Sequence, residues 1–243
     1  MPRSHLAALV AAGAVTLACT ACSGSSATAE APTPEAAAVG STTAAPAALD
    51  AAQAGAAVVA AAKQSSAVHV RGAIVEGGNV TLDVQLNQDS ASGTVTQDGL
   101  EIPALRVGDK YYFRFTASVV KKSGIPASAA KQLTGKWVPS TAKIGAGIAD
   151  AFKAFLDYKT FTENTVGQLA AATFTAGGPT TFAGTRAVNF TSPDGTATVA
   201  ADEPHYLLRM QDPKSGTLEY TDWNKPTTIK EPAAAEIYSG PGS

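Results

Sequence analysis

The strongest constraint on the fold is a stretch of strict two-residue alternation, VTLDVQLN at residues 80–87. Its apolar residues, which would all face one side of a strand, are Val80, Leu82, Val84 and Leu86. The polar residues between them would face the opposite side, as in a half-buried β-strand. A chain that contains this segment must therefore provide a sheet with one apolar face.

Similar short segments surround this strand, and turn residues separate them at intervals of roughly ten residues. The predicted strands of this first series are residues 68–75, 80–87, 92–96, 100–107 and 110–115. The turns between them are short and rich in Gly, Asp and Asn, which is typical of β-hairpins. The first half of the chain therefore predicts an antiparallel meander.

Three parts of the chain are helical in character. Residues 51–63 consist almost entirely of good helix formers and follow Asp50, which is suited to the N-cap position. Residues 116–133 predict two short helices, and residues 148–161 place apolar residues at helical spacing. The two later parts form a helical insertion behind the first meander.

A second series of short strand candidates follows the insertion. They are residues 174–175, 180–182, 187–191, 197–201, 206–210 and 217–222. The order of helix, strands, helices and strands predicts an α+β fold, with a single large curved antiparallel β-sheet and helices on one face. The insertion between the two meanders argues against a closed barrel.

The N-terminus predicts export from the cytoplasm. Residues 6–21 carry no charge and end in small residues, which is typical of a signal peptide and too short for a membrane span of about 20 residues. Cys22 follows Ala21 and precedes Ser and Gly, a pattern that resembles the bacterial lipobox. We therefore predict a signal peptide over residues 1–21 and a lipid anchor on Cys22. Anchoring at Cys19, an ordinary cleaved signal and an uncleaved anchor are the open alternatives.

The next residues predict a tether between this anchor and the folded body. Residues 22–48 contain no Lys, Arg, Phe, Tyr or Trp, so they cannot bury enough apolar surface to order themselves. We predict a disordered tether over residues 22–48 and a folded domain over residues 49–243. The body would lie near the outer face of the cell membrane, held there by the acyl chains on the cysteine.

Composition excludes several classes of function. Charged residues make up 16% of the chain and the formal net charge is −2, so we expect no nucleic-acid partner. Cys19 and Cys22 are the chain's two cysteines, which leaves none in the body for a disulfide, a thiolate metal site or a cysteine nucleophile. The common hydrolase, zinc-protease and nucleotide-binding motifs are absent from the sequence. We therefore expect neither catalysis nor a cofactor or metal.

A family resemblance rests on several pieces that occur in order along the chain. They are VHVRG at 68–72, VGDKYY at 107–112, KWVP at 136–139, PHYLLRM at 204–210 and GTLEYTDWNKP at 216–226, followed by Ile229 and Pro232. With these pieces, residues 50–240 and the lipobox resemble the LppX/LprAFG family of actinobacterial lipoproteins. The order of these pieces along the chain carries more weight than any one of them.

The resemblance implies both a fold and a function. Members of the family are similar to the LolA/LolB carriers, in which a half-open sheet holds helices on its concave face around an apolar cavity. The cavity holds acyl chains of a lipid or glycolipid that is moved out of the cytoplasmic membrane. The same fold also occurs in regulators of the MucB/RseB type, so a cell-surface sensor or scaffold without lipid transfer is the alternative, with a membrane protein as its partner.

We predict that acyl chains bind in an apolar groove between the sheet and the helix at residues 148–161. The predicted lining residues are Leu82, Val84, Leu86, Tyr111, Phe113, Phe152, Phe155, Leu156, Leu208 and Met210. The strand residues come from both meanders, because a curved sheet would bring both against the helix. Alanine-rich helices would fill the groove poorly and leave room for a ligand. Tight closure of the sheet on these small residues is the alternative.

Overall fold

The computed structural model describes residues 49–75 and 78–240. The predicted signal peptide, the tether and both cysteines lie outside these residues. The described residues form one body, an open sheet of eleven antiparallel strands with five α-helices. No helix among them is long and apolar enough to cross a membrane.

The helices occur before the first strand and between the two meanders. Those of the described residues are α1 Ala51–Gln64, α2 Ala117–Lys122, α3 Ala127–Leu133, α4 Lys143–Leu156 and α5 Tyr158–Asn164. Two short 3₁₀ helices follow at Val166–Ala171 and Ala234–Glu236. Helix α1 begins where the sequence predicts it, since the Asp50 side chain accepts a hydrogen bond from the amide of Ala52 at 3.2 Å.

The strands follow the hairpin rhythm that the sequence predicts. In chain order they are β1 Ala67–Ile74, β2 Val80–Asn87, β3 Ser90–Gln97, β4 Leu100–Val107, β5 Lys110–Arg114, β6 Trp137–Pro139, β7 Thr175–Phe182, β8 Thr185–Ser192, β9 Gly195–Ala200, β10 Leu207–Asp212 and β11 Gly216–Thr221. The two meanders join where β1 pairs with β11, with Val70 opposite Tyr220. The sheet therefore runs from β6 at one edge to β7 at the other and does not close. The predicted fold class is confirmed.

The alternation in β2 produces the expected apolar face. Val80, Leu82, Val84 and Leu86 are all buried in one continuous core, together with residues of the helices. Helix α4 packs against the first meander, where its Phe152 ring lies 6.0 Å from the ring of Phe113. The helices therefore cover the apolar face of the sheet, and the core lies between the two layers.

The Asp-Trp-Asn turn has a defined structural role after β11. Asp222 and Asn224 both have positive φ, of 49° and 60°, which Asp and Asn tolerate better than most residues. The turn buries Trp223, whose Nε1 donates to the carbonyl of Leu207 at 2.7 Å. The side chain of Asn224 accepts from the amide of Ser66 at 3.0 Å. The motif thus ties the end of the sheet to the start of β1.

Two predicted elements differ from the structure. The helix predicted over residues 148–161 is two helices, because Asp157 has extended dihedral angles, ends α4 and caps α5 through a bond from the Thr160 amide at 2.8 Å. The turn predicted at Gly177-Gly178-Pro179 is part of β7, which continues through it with an irregular register. A local irregularity in an edge strand accommodates glycine and proline without ending the strand.

Candidate binding cavity

The described residues line a cavity of about 640 Å³ that is open to solvent on one side, at one end of the sheet. The C-terminal end of α4, helix α5 and the following 3₁₀ helix lie on one side of it, and β1, β9, β10 and β11 on the other. Its size falls within the range of about 300–1,000 Å³ that is usual for small-molecule sites. A cavity between the sheet and the helices is thus present, and it lies over the second meander and the neighbouring strand β1.

Small side chains leave this space open. Alanine or glycine occupies seven of its lining positions, namely Ala73, Ala154, Ala171, Ala172, Gly195, Ala197 and Gly216. The backbone around them is tightly packed, because a Cβ on Gly216 would lie 2.1 Å from the carbonyl oxygen of Ala73. The alanines therefore leave side-chain volume unfilled, whereas Gly216 allows its strand to lie close to β1.

The interior of the cavity is apolar. Its larger lining side chains are Ile74, Phe155, Phe161, Leu169, Phe174, Met210 and Leu218. Two of the aromatic rings are held by edge contacts with neighbours, Phe155 with Phe152 at 6.4 Å and Phe174 with Phe190 at 6.1 Å. Such a lining favours hydrocarbon groups, which gain about 25 cal/mol for each Å² removed from water.

The polar side chains of the lining include four that are exposed to solvent, Asn164, Gln168, Asp194 and Gln211, and we take them to mark the opening of the cavity. The polar side chains that line the cavity are Asn164, Thr165, Gln168, Ser192, Asp194, Thr196, Gln211, Asp212 and Ser215. Hydrogen bonds from the amide of Lys214 and the side chain of Ser215 lower the pKa of Asp212 from its ordinary value. The carboxylate of Asp212 is therefore ionised at neutral pH. An apolar interior with a polar opening suits an amphipathic molecule.

Two contacts with α1 hold α5 and the following 3₁₀ helix in place on one side of the cavity. The hydroxyl of Tyr158 donates to the carbonyl of Ala62 in α1 at 2.7 Å, and burial raises the pKa of this tyrosine to about 12. Gly55 of α1 lies directly against the 3₁₀ helix, where an added Cβ would come within 2.0 Å of the carbonyl oxygen of Leu169. The alanine-rich helix α1 thus acts as a close backing for the elements that line the cavity.

The structure places the predicted site residues in three groups. Phe155 and Met210 line the cavity. Seven others are buried in the core and do not line it, namely Leu82, Val84, Leu86, Tyr111, Phe113, Phe152 and Leu156. They pack the first meander against α4, so that half of the groove is filled by protein side chains.

Leu208 forms the third group, because it lies on the opposite face of the sheet. A β-bulge between Leu207 and Arg209 interrupts the alternation, so that Leu207 enters the main core and Leu208 packs with Ala187 and Ala200. The prediction that Leu208 shares an interior face with Met210 is therefore wrong. Strict alternation cannot reveal an extra residue of this kind.

Several lining residues lie in segments without regular hydrophobic periodicity. The 3₁₀ helix Val166–Ala171 contributes Gln168 and Leu169, although its sequence has neither helical nor strand periodicity. The turns before β9 and before β11 contribute Asp194 and Ser215. Every second hairpin turn of a meander lies at the same end of the sheet. The turns before β9 and before β11 could therefore be expected to lie close together, and this was the available indication that their residues share a site.

The side chains of His69, Arg71 and Asp83 form a polar cluster that does not line the cavity. His69 Nε2 lies 2.8 Å from Asp83 Oδ1, and Arg71 binds the other oxygen of that carboxylate. Burial alone would raise the pKa of Asp83, but these hydrogen bonds outweigh it and lower the pKa below its ordinary value. Within residues 49–75 and 78–240, no group of three or more His, Cys, Asp or Glu side chains is placed to hold a metal ion.

The fold and the cavity together define a structural class of protein. In this class an open antiparallel sheet carries helices on one face, and an apolar cavity with a polar opening lies between the sheet and the helices. LprF from Mycobacterium bovis shares this fold, with a TM-score of 0.51 and 14% identity over 76% of this chain and 97% of LprF. The resemblance to the LppX/LprAFG family is thereby confirmed at the level of the fold.

Two further solved structures are similar over comparable lengths. The lipoprotein LppX from Mycobacterium tuberculosis gives a TM-score of 0.47 and 16% identity, with 74% of this chain and 98% of LppX covered. MucB in the MucA/MucB complex from Pseudomonas aeruginosa gives a TM-score of 0.34 and 16% identity, with 79% of this chain and 62% of the MucB chain covered. Compared by sequence, the chain matches no family model and no curated protein.

Proposed function

We propose that this protein is an extracytoplasmic lipoprotein that binds the acyl chains of a membrane lipid in its cavity and carries or shields that lipid. The observation that supports the proposal most strongly is the cavity itself, about 640 Å³ of space with an apolar interior and a polar opening. An acyl lipid has the same division into an apolar part and a polar part. The proposed anchor on Cys22 would hold the body beside the membrane that supplies the lipid.

The mechanism is physical, with no covalent step. Acyl chains would leave the bilayer for the space between Phe155, Phe161, Leu169 and Met210, where each buried methylene group is stabilised by about 0.8 kcal/mol. This gain is close to that in a bilayer, so uptake and release would be nearly balanced. Such a balance suits a carrier, because a cargo that is bound too tightly could not be delivered.

Lipid extracted from the purified protein tests the proposal. The full chain is isolated from membranes in detergent, and mass spectrometry quantifies the lipid that organic solvent removes without cleaving the anchor. The background is measured on a lipoprotein of another fold that has been purified in the same way. We expect a lipid in near-stoichiometric amount above this background.

An extract at background level, from protein that also takes up no lipid from vesicles, would contradict the proposal. If the same protein then formed a stable complex with a membrane protein, the sensor or scaffold function would replace it.

A further inference from the structure

The opening of the cavity has a pronounced imbalance of charge. Asp194 lies in the turn between β8 and β9, and Asp212 at the end of β10, and both carboxylates belong to the cavity lining. None of the described lining residues is Lys, Arg or His. A lipid headgroup at this opening would therefore meet two negative charges and no positive one among the described lining residues.

The two acidic turns are held side by side by the sheet. Thr196 pairs with Gln211, which places Gly195 next to Asp212. The fit is so close that a Cβ on Gly195 would lie 3.0 Å from the Cα of Asp212. The positions of the two carboxyl-bearing turns are thus fixed relative to each other.

Asp212 is also fixed within its own turn. Its Oδ1 accepts a hydrogen bond of 2.7 Å from the amide of Lys214, which keeps the carboxylate in the charged form. The side chain of Lys214 is exposed and does not belong to the described cavity lining, but its positive charge also contributes to the lowered pKa of Asp212. The remaining polar groups of the opening are uncharged amides and hydroxyls, among them Asn164, Thr196 and Gln211.

Building on the proposed function, we propose that this opening selects lipids whose headgroup carries no negative charge, with Asp194 and Asp212 as the specificity-determining residues. Carboxylates and amide oxygens accept hydrogen bonds from the hydroxyl groups of an uncharged headgroup. A phosphate at the same position would be repelled by both carboxylates and would find no cation among the lining residues to pair with.

The expected discrimination is moderate, because the opening is in contact with solvent. Two unit charges several ångströms from a phosphate in a water-like medium change affinity by about fivefold at low ionic strength. Salt screens charges over a Debye length that falls from about 30 Å at 0.01 M to about 3 Å at 1 M. The discrimination should therefore decrease strongly between these two salt concentrations.

Two lipids with the same acyl chains test this inference. Delipidated full-chain protein is incubated with phosphatidylcholine vesicles that contain equal fractions of diacylglycerol and phosphatidate with matched chains, and the protein-bound lipid is quantified by mass spectrometry. At low salt we expect about fivefold more diacylglycerol than phosphatidate, since only phosphatidate is repelled. The ratio should approach one in 1 M salt.

Matched variants separate the local effect from the overall charge of the protein. Asp194→Asn with Asp212→Asn should lower the ratio towards one, and asparagine retains the side-chain oxygen that caps the turn at 212. Asp98→Asn with Asp109→Asn removes the same charge from exposed turns outside the cavity and should leave the ratio unchanged.

The outcomes distinguish this inference from the proposed function. Equal binding of both lipids by the wild-type protein at low salt would overturn the inference and leave the proposed function intact. The inference would also be overturned if both double variants lowered the ratio equally, because the effect would then reflect total charge. Binding of neither lipid would contradict the proposed function itself.

Discussion

The guanidinium of Arg106 and the carboxylate of Asp157 lie 3.2 Å apart, with 10% and 20% of their side chains exposed. Arg106 is on β4, and Asp157 is the residue that ends α4 and caps α5. The pair therefore attaches the junction of the two helices beside the cavity to the first meander. One ion pair thus links the first meander, where side chains fill the groove, to the helices α4 and α5 that line the open cavity.

Asp157→Asn should lower the free energy of unfolding by about 2 kcal/mol at pH 7. Removal of one partner leaves Arg106 as a largely buried charge, and the loss is below the 3–5 kcal/mol of fully buried pairs because both groups are partly solvated. Asparagine can still accept the bond from the Thr160 amide, so the cap is kept. Urea unfolding of the wild-type protein, this variant and the exposed control Asp109→Asn measures the effect.

The loss of stability in Asp157→Asn should depend on pH. Burial alone would raise the pKa of Asp157, but the hydrogen bonds from Thr160 and the charge of Arg106 outweigh it, so the net shift is below the ordinary value of 3.8. The stabilisation by Asp157 is thus complete above pH 3.8 and is lost as the pH falls through the lower folded-state pKa. A stability difference between wild type and variant that stayed constant down to pH 2 would contradict this assignment.

Two helical glycines should respond in opposite directions to alanine. At Gly55 an added Cβ would lie 2.0 Å from the carbonyl oxygen of Leu169, so Gly55→Ala should destabilise the protein by about 1–3 kcal/mol through overpacking. A Cβ added at Gly147 would have no neighbouring atom within 4 Å, so Gly147→Ala should stabilise the protein by up to about 1 kcal/mol through helix propensity. Chemical denaturation measures both, and a neutral Gly55→Ala would show that α1 does not back the 3₁₀ helix closely.

Cys22→Ala should release the protein from membranes, because the acyl chains on this cysteine are the predicted anchor. Cell fractionation followed by detection of the protein in the soluble and membrane fractions measures the change. Cys19→Ala is the matched control and should leave the protein attached. Release by Cys19→Ala alone would move the anchor to that residue, and attachment of both variants would favour an uncleaved membrane anchor.

Local periodicity was sufficient to predict the sheet but not the position of the cavity. The alternation in β2 determines which residues face the core, and the hairpin turns determine the antiparallel order. The bulge that turns Leu208 away from Met210 depends on how β10 pairs with β9, which no pattern within β10 encodes. Likewise, Phe152 and Phe155 are both apolar residues of α4, and only the packing of α4 on β5 shows that Phe152 is core and Phe155 lines the cavity.

The residues that define the opening of the cavity could not be predicted for a related reason. Asp194 lies in a turn and Asp212 at the end of a strand beside a turn, where charged residues are common and usually only solvated. Their significance depends on the pairing of β9 with β10, which brings two turns together at the end of the sheet. Gln168 and Leu169 belong to a 3₁₀ helix, and such short segments are held by tertiary contacts more than by intrinsic propensity.

The most direct test of the central claim is the amount of lipid bound by two tryptophan variants of α4. Ala154 lines the cavity, whereas Ala151 is exposed on the same helix and does not line it. Ala154→Trp should lower bound lipid by about tenfold, which corresponds to a loss of about 1.4 kcal/mol of binding free energy. Ala151→Trp should bind as much lipid as the wild-type protein. Undiminished lipid on Ala154→Trp, in protein that unfolds at the wild-type temperature, would show that acyl chains do not occupy this cavity.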